Sequence, residues 1–304
     1  VDLGFDPSAP NLLWVVSKRD DSMLIITDPG TETMTEERRH DPAASHFMAN
    51  PPAFAFGSVD ETWGQTFGIC GDGDNGGNHF MGAALFSSQL DVFAEPTPDG
   101  LGSHLDMLHS TSFCRGIAHA GANVYYAFNG ELGSIDAYDL GEDHDPGNDD
   151  HSDGRILRYL DGMLLGVDGV SSHLAYDATS GWLYIADTGN GRVVVLDTAT
   201  GTKGSSFSGD ELIAERKMVD DATAWEPLPP GSVQAPTGLE LHRGLLFVAD
   251  AATSRISAFD ASGNLVRFLD TGMPPDSLSG FTFGPDGKLY LVDVVGERVL
   301  RVDV

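Results

Sequence analysis

Short runs of apolar, β-branched and aromatic residues alternate along this chain with turns dense in Gly, Asp, Asn and Pro. Three stretches show the pattern most clearly: GWLYIADTGNGRVVVLDTATG (181–201), GLLFVADAATSRISAFDASGN (244–264) and GKLYLVDVVGERVLRVDV (287–304). Each has an apolar run ending in Asp, a small polar turn, and an alternating run that begins near an Arg. A side-chain period of two lines one face of an extended chain, so each stretch predicts an antiparallel hairpin. A further short strand precedes each: SSHLAYD (171–177), PTGLELH (236–242) and LSGFTFG (278–284). Three such strands with an outer fourth make one blade of a β-propeller.

The same template finds weaker copies upstream. FCRGIAHAGANVYYAFNGELGSIDAYDL (113–140) fits well, and VDLGFDPSAPNLLWVVSKRDDSMLIITD (1–28) fits too. PPAFAFGSVDETWGQTFGIC (51–70) followed by HFMGAALFSS (79–88) fits with an enlarged turn. Six units result, with hairpin strands near Leu13, Gly64, Val124, Leu183, Leu246 and Leu289, spaced 43 to 63 residues apart. The scatter falls in connecting segments, where repeat folds accept insertions. The expectation is an all-β chain, one six-bladed β-propeller domain over residues 1–304.

The runs LYIADTGNGRVVVLD and LFVADAATSRISAFD resemble NHL repeats, closely in the three C-terminal units and loosely in the others. The resemblance implies an NHL-like propeller of mostly four-stranded blades, a fold that hosts many functions. Val304 falls inside the third strand of the last unit, so its outer strand is expected either from before Val1 or not at all.

Charge narrows the partners. Asp and Glu number 46 against 17 Lys and Arg, a formal net charge of −29. Such a surface repels nucleic acid and anionic lipid and gathers cations; it also stays hydrated in saline surroundings. No run approaches the ~18 apolar residues of a membrane span, so membrane insertion is not expected. The opening VDLGFDP has no signal-peptide core and reads as a trimmed start. Two cysteines, Cys70 and Cys114, suffice for one bridge. With Asp- and Gly-rich loops, they favour an extracellular or periplasmic monomer. The alternative for the cysteines is thiolate ligation of a softer metal such as copper(I).

In a propeller, the outer-to-inner connections and the middle turns share one rim of the central channel. On that basis His46, His104 and His109 fall in segments leading to inner strands, His173 opens one, and His79 lies in the enlarged middle turn of unit two. Their convergence predicts a transition-metal site of zinc or copper, because imidazoles bind such ions without mutual charge repulsion. His119 and His242 fall on the far rim as turn-filling residues.

The enlarged turn, CGDGDNGGNHF (70–80), has the Gly-x-Gly-x-x-Gly spacing of a dinucleotide loop. It lacks the helix that such a loop must open, and Asp72 and Asp74 would repel a pyrophosphate. Those two aspartates are instead candidate calcium ligands. So are Asp149 and Asp153 in GEDHDPGNDDHSDGRI (141–156), which echoes a calcium loop without its closing Glu. Arg115 precedes Gly116 at an inner-strand start, placed to clamp a substrate carboxylate or to pair with nearby acids. There is no Gly-x-Ser-x-Gly elbow, Walker A, His-Glu-x-x-His or CxxC; GTKGSSFSG (201–209) lacks the phosphate-loop order.

Resemblance to the NHL-type peptidylglycine amidating lyase domain implies a metal-dependent lyase or hydrolase. That family carries its three zinc histidines at inner-strand starts. The matching positions here read Cys114-Arg115-Gly116, Ser171-Ser172-His173, Pro236-Thr237-Gly238 and Leu278-Ser279-Gly280, and supply His173 alone. The alternatives are a non-catalytic binding or scaffold propeller with structural calcium, and a calcium-dependent lactonase or phosphotriesterase. Each would take a small-molecule or peptide ligand at the channel rim.

Overall fold

The computed structural model describes residues 1–74, 82–209 and 211–303. Six sheets, each built on an antiparallel meander, surround a central channel. The first blade comprises Asp2–Phe5, Leu12–Ser17, Ser22–Thr27 and Thr35–Arg39; the second Phe54–Asp60, Gly64–Ile69, Ala84–Ser87 and His104–Met107. Blade three begins with Ile117–Gly121, Val124–Asn129, Ser134–Asp139 and Arg155–Tyr159. Blade four has Leu174–Asp177, Trp182–Asp187, Arg192–Asp197 and Ala224–Leu228; blade five has Pro236–His242, Leu245–Asp250, Arg255–Phe259 and Leu265–Asp270. The sixth has three strands among the described residues, Leu278–Phe283, Leu289–Asp293 and Arg298–Val302. The predicted six-bladed all-β propeller is the fold observed.

The alternating pattern explains the packing. Each middle strand places one set of side chains against the preceding blade and the other against the next, so both faces are apolar. Six buried clusters result, one between each pair of neighbouring blades. Trp14, Phe54, Phe67 and Phe86 fill the first gap, and Tyr125, Tyr138, Leu85 and Leu105 the second. Leu3, Leu13, Val15, Tyr290 and Val292 fill the gap between blades six and one and so close the ring. At the channel the inner strands come close enough to require glycine. A Cβ on Gly116 would lie 2.1 Å from the Ser172 carbonyl oxygen, a backbone atom with little room to retreat.

One excursion was not foreseen. Residues 198–223 leave blade four between its third and fourth strands. Within them Thr202–Lys203 and Glu215–Asp220 form a small hairpin, and Glu215–Asp220 pairs in parallel with Arg155–Tyr159. Blade three thereby becomes six-stranded. The GTKGSSFSG stretch is the outgoing arm of this insert.

Candidate metal centre

The short fourth strand of blade two, HLDM, is buried along its whole length. A β-bulge interrupts its pairing, so that Leu85 opposes Asp106 and Phe86 opposes His104, and the plain alternation of faces is broken between the two. The 140–154 loop of blade three lies across the strand, held by His144 N–H to the Leu105 carbonyl (2.9 Å) and Gly147 N–H to the His104 carbonyl (2.9 Å). The loop thereby brings in His144 and His151. One imidazole nitrogen of each of His104, His144 and His151 lies within 4.8 Å of one on both others. Ring centroids are 5.1 Å apart for His104–His144 and 5.3 Å for His144–His151.

Hydrogen bonding fixes which nitrogen each ring offers. His104 Nδ1 meets the Leu101 carbonyl oxygen at 2.9 Å, and His144 Nδ1 meets that of Asp145 at 2.8 Å. A carbonyl oxygen only accepts, so both Nδ1 atoms carry the proton and both Nε2 atoms carry the lone pair. His151 Nδ1 donates to Asp106 Oδ1 at 2.8 Å. The buried His144 Nε2 and Asp106 Oδ2 have no hydrogen-bond partner. Three imidazoles with Nδ1 committed, and with one nitrogen of each close to the other two, match the pattern in which outer hydrogen bonds orient metal-binding histidines.

The local electrostatics favour neutral rings at His104 and His144. Burial, reinforced by His144, pulls His104 down to about 3. Burial also lowers His144, despite the Asp145 carbonyl. For His151 burial acts downwards, but the hydrogen bond and charge of Asp106 prevail and raise it. Burial pushes Asp106 up to about 6, opposed by the His151 hydrogen bond. Neutral imidazoles packed together repel protons yet suit a soft or borderline divalent cation, as in zinc, copper, nickel or iron sites.

The structure divides the five histidines proposed from sequence. His104 does not lead to an inner strand but opens an outer one, because the connection after residue 88 is longer than the repeat suggests. It therefore joins His144 and His151, which the sequence reading left among calcium-loop residues. His46 lies on the one-turn helix Ala44–Phe47, with its ring 6.2 Å from that of His109. His109 is held by Glu211, which accepts from both its backbone N–H (2.9 Å) and its Nδ1. His173 stands apart in the central channel, at the position where blades three, five and six have Gly116, Gly238 and Gly280; its Nδ1 is 3.5 Å from Asp2 Oδ1. A Cβ on Gly280 would lie 3.0 Å from the His173 ring, so that glycine leaves space for it. His79 lies outside the described residues.

The candidate calcium ligands are also redistributed. Asp72 Oδ2 accepts from Arg115 Nη1 (2.7 Å) and from Lys18, so two cations already occupy it. Arg115 is buried, and its Nη2 donates to Asp168 Oδ1 at 2.7 Å; of its two sequence readings, the structure shows pairing with acids. Asp153 accepts from the Glu142 N–H, and Asp149 is exposed. Among the described residues the histidine trio is the one group of three or more His, Cys, Asp or Glu with convergent ligand atoms, so Asp72, Asp74, Asp149 and Asp153 do not assemble such a set. Cys70 and Cys114 form a disulfide with Cα atoms 6.0 Å apart, which removes the thiolate-ligand alternative.

No family model matches the chain, and no curated protein matches it. Solved structures do. An auxiliary nutrient binding protein from Bacteroides thetaiotaomicron superposes with a TM-score of 0.60 at 11% identity, covering 100% of this chain and 68% of that one. A catalytically inactive virginiamycin B lyase from Staphylococcus aureus, crystallised with quinupristin, gives 0.55 at 11% identity, covering 99% and 80%. A streptogramin B lyase gives 0.53 at 13%, covering 100% and 82%. At these identities the likeness is one of fold. Among the described residues no helix is long and apolar enough to cross a membrane.

Proposed function

We propose that the protein is an exported, metal-binding propeller in which His104, His144 and His151 hold a zinc or copper ion at the edge between blades two and three. The observation that carries this reading is the set of three anchored imidazoles around one space, with the buried His144 Nε2 left without a partner. Asp106 acts behind His151, fixing its tautomer and orientation and strengthening it as a donor. Leu101 and Asp145 do the same for the other two through their carbonyl oxygens. Three protein ligands leave a coordination position open, as in catalytic rather than structural zinc sites. When bound, such an ion supplies Lewis acidity to a small polar molecule or peptide end, the basis of a lyase or hydrolase activity. The disulfide and the acidic surface support an extracellular or periplasmic setting, and two similar folds named for nutrient binding and lyase action agree with a small-molecule ligand.

Elemental analysis of protein purified without a histidine tag tests this. About one equivalent of zinc or copper is expected, lost in folded His104→Ala and His151→Ala variants and kept in His173→Ala. Calcium alone, or a transition metal indifferent to the first two variants, overturns the reading.

A further inference from the structure

A second constellation lies outside the metal centre. The insert of residues 198–223 delivers Glu211 to His109, and Arg216 fixes it there. Arg216 Nη1 donates to the Glu211 carbonyl at 2.7 Å, and Nη2 to Oε1 at 3.0 Å. The insert is itself pinned by the parallel strand pairing and by Ala214 N–H to the Gly154 carbonyl, 2.9 Å. Glu211 therefore holds His109 at two points, backbone N–H and Nδ1. A carboxylate at Nδ1 places the proton there and leaves the lone pair on Nε2. That Nε2 is buried and has no partner.

His109 lines a cavity of about 200 Å³ with Ser110, Ser112, Leu132, Arg158 and Phe207. Arg158 is locked to both oxygens of buried Asp136, at 2.6 and 3.0 Å, and lies 4.3 Å above the Phe207 ring. The remaining charged group on the wall is Glu131, and His46 stands edge-on behind His109. A base, its orienting carboxylate, a fixed cation and a partly apolar wall thus surround one space. Among the described residues no serine hydroxyl bonds His109, and a small side-chain shift must open the sealed Nε2 to the cavity before a water can reach it.

We propose that His109 is a catalytic general base, positioned by Glu211, for hydrolysis of a small, uncharged ester or lactone in this cavity. Water attacks the acyl carbon while its proton passes to His109 Nε2. The carbonyl π-bond opens to an oxyanion beside Arg158. The carbonyl then re-forms, the ester C–O bond breaks, and the departing alkoxide takes the proton from Nε2. Ester and water become acid and alcohol, with no change of oxidation state. The Phe207 and Leu132 wall favours a short acyl chain. The inference stands independently of the metal centre.

Hydrolysis of p-nitrophenyl acetate by chelator-treated protein tests it. Saturable turnover is expected, faster than that of free imidazole at equal concentration, with kcat lowered about 100-fold in His109→Gln. Glu211→Gln keeps a hydrogen bond but removes the charge that stabilises the imidazolium, so kcat falls about tenfold while KM is unchanged. Leu132→Trp, at a partly exposed position, fills the cavity and raises KM while leaving the dyad in place. The proposal is overturned if folded His109→Gln turns over like the parent, if the parent is no faster than imidazole, or if chelation abolishes the activity.

Discussion

Asp72 shows how one carboxylate can decide between readings of a rim. It takes charge-assisted bonds from Lys18 of blade one and Arg115 of blade three while itself belonging to blade two, so it ties three blades together beside the Cys70–Cys114 bridge. Removing it leaves the buried Arg115 guanidinium to the exposed Asp168, and breaking a buried pair costs about 3–5 kcal/mol. Asp72→Asn is expected to lower the unfolding free energy by roughly 2–4 kcal/mol, the partial exposure of Lys18 reducing the loss. Calcium should neither stabilise the parent nor rescue the variant in denaturant titration; a calcium-dependent parent would restore Asp72 as a ligand. Glu240 makes the opposite case, a carboxyl held towards neutrality. It lines the central channel with His173 and Asp2, and burial raises it to about 7 despite a bond from the Phe283 N–H. A folded value above the unfolded one means that the native state binds more protons in between. Stability from this group is therefore complete below about pH 4.5 and lost as pH rises through 7. The shift corresponds to roughly 3 kcal/mol at most. Glu240→Gln, which mimics the neutral form, should show a gain over the parent that is near zero at about pH 4 and largest at about pH 8. An equal effect at both pH values would refute the assignment.

At the scale of elements, the insert between the third and fourth strands of blade four is a separable addition. Its neck is already closed: Asp197 N–H meets the Thr223 carbonyl at 2.9 Å, and Thr223 N–H meets Thr200 Oγ1 at 2.8 Å. Loop-closure entropy varies slowly with length, so shortening such an excursion disturbs the parent hairpin little. Replacing residues 201–221 by a short Gly-Ser turn is expected to preserve the β-sheet circular dichroism signal and a cooperative melt. The variant should also retain any metal held by His104, His144 and His151, while Glu211 and the support of His109 are gone. Aggregation or loss of cooperative unfolding would show instead that blade three needs the added strands. The insert was not legible in the sequence because ERKMVD lacks apolar alternation. Its strand exists through pairing with Arg155–Tyr159 and leaves its own side chains half-buried. By contrast, LYIAD and LFVAD announce themselves, since both of their faces are covered by neighbouring blades.

For the molecule as a whole, the ring was legible because every blade repeats one solution to burying a two-faced sheet. The disulfide was legible too, because Cys70 and Cys114 occupy matching rim positions in adjacent blades. The histidine trio was not. It crosses a blade boundary, joining a position where blade two departs from the repeat to a loop whose acidity drew attention to its aspartates. Sequence assigns such residues to a rim by counting strands, and a single irregular connection moves His104 to another edge. What no local motif conveys is the charge that all of these sites share. A net −29 on one ring of blades is self-repulsion in the folded state, relieved when the chain expands. Ion pairs exist, but many are exposed, such as Arg19–Glu297, and contribute little. Screening should therefore stabilise the fold: the Debye length falls from about 30 Å at 0.01 M salt to about 3 Å at 1 M, shorter than most carboxylate separations. The melting temperature is expected to rise by several degrees between 10 mM and 500 mM sodium chloride, most steeply at the low end, where repulsion is longest in range. Potassium chloride should act equally, since screening depends on ionic strength and not on a particular cation. A melting temperature that falls with salt would mean that attractive pairs such as Arg158–Asp136 and Arg115–Asp72 outweigh the repulsion. In that case the acidic surface would already be balanced within the fold.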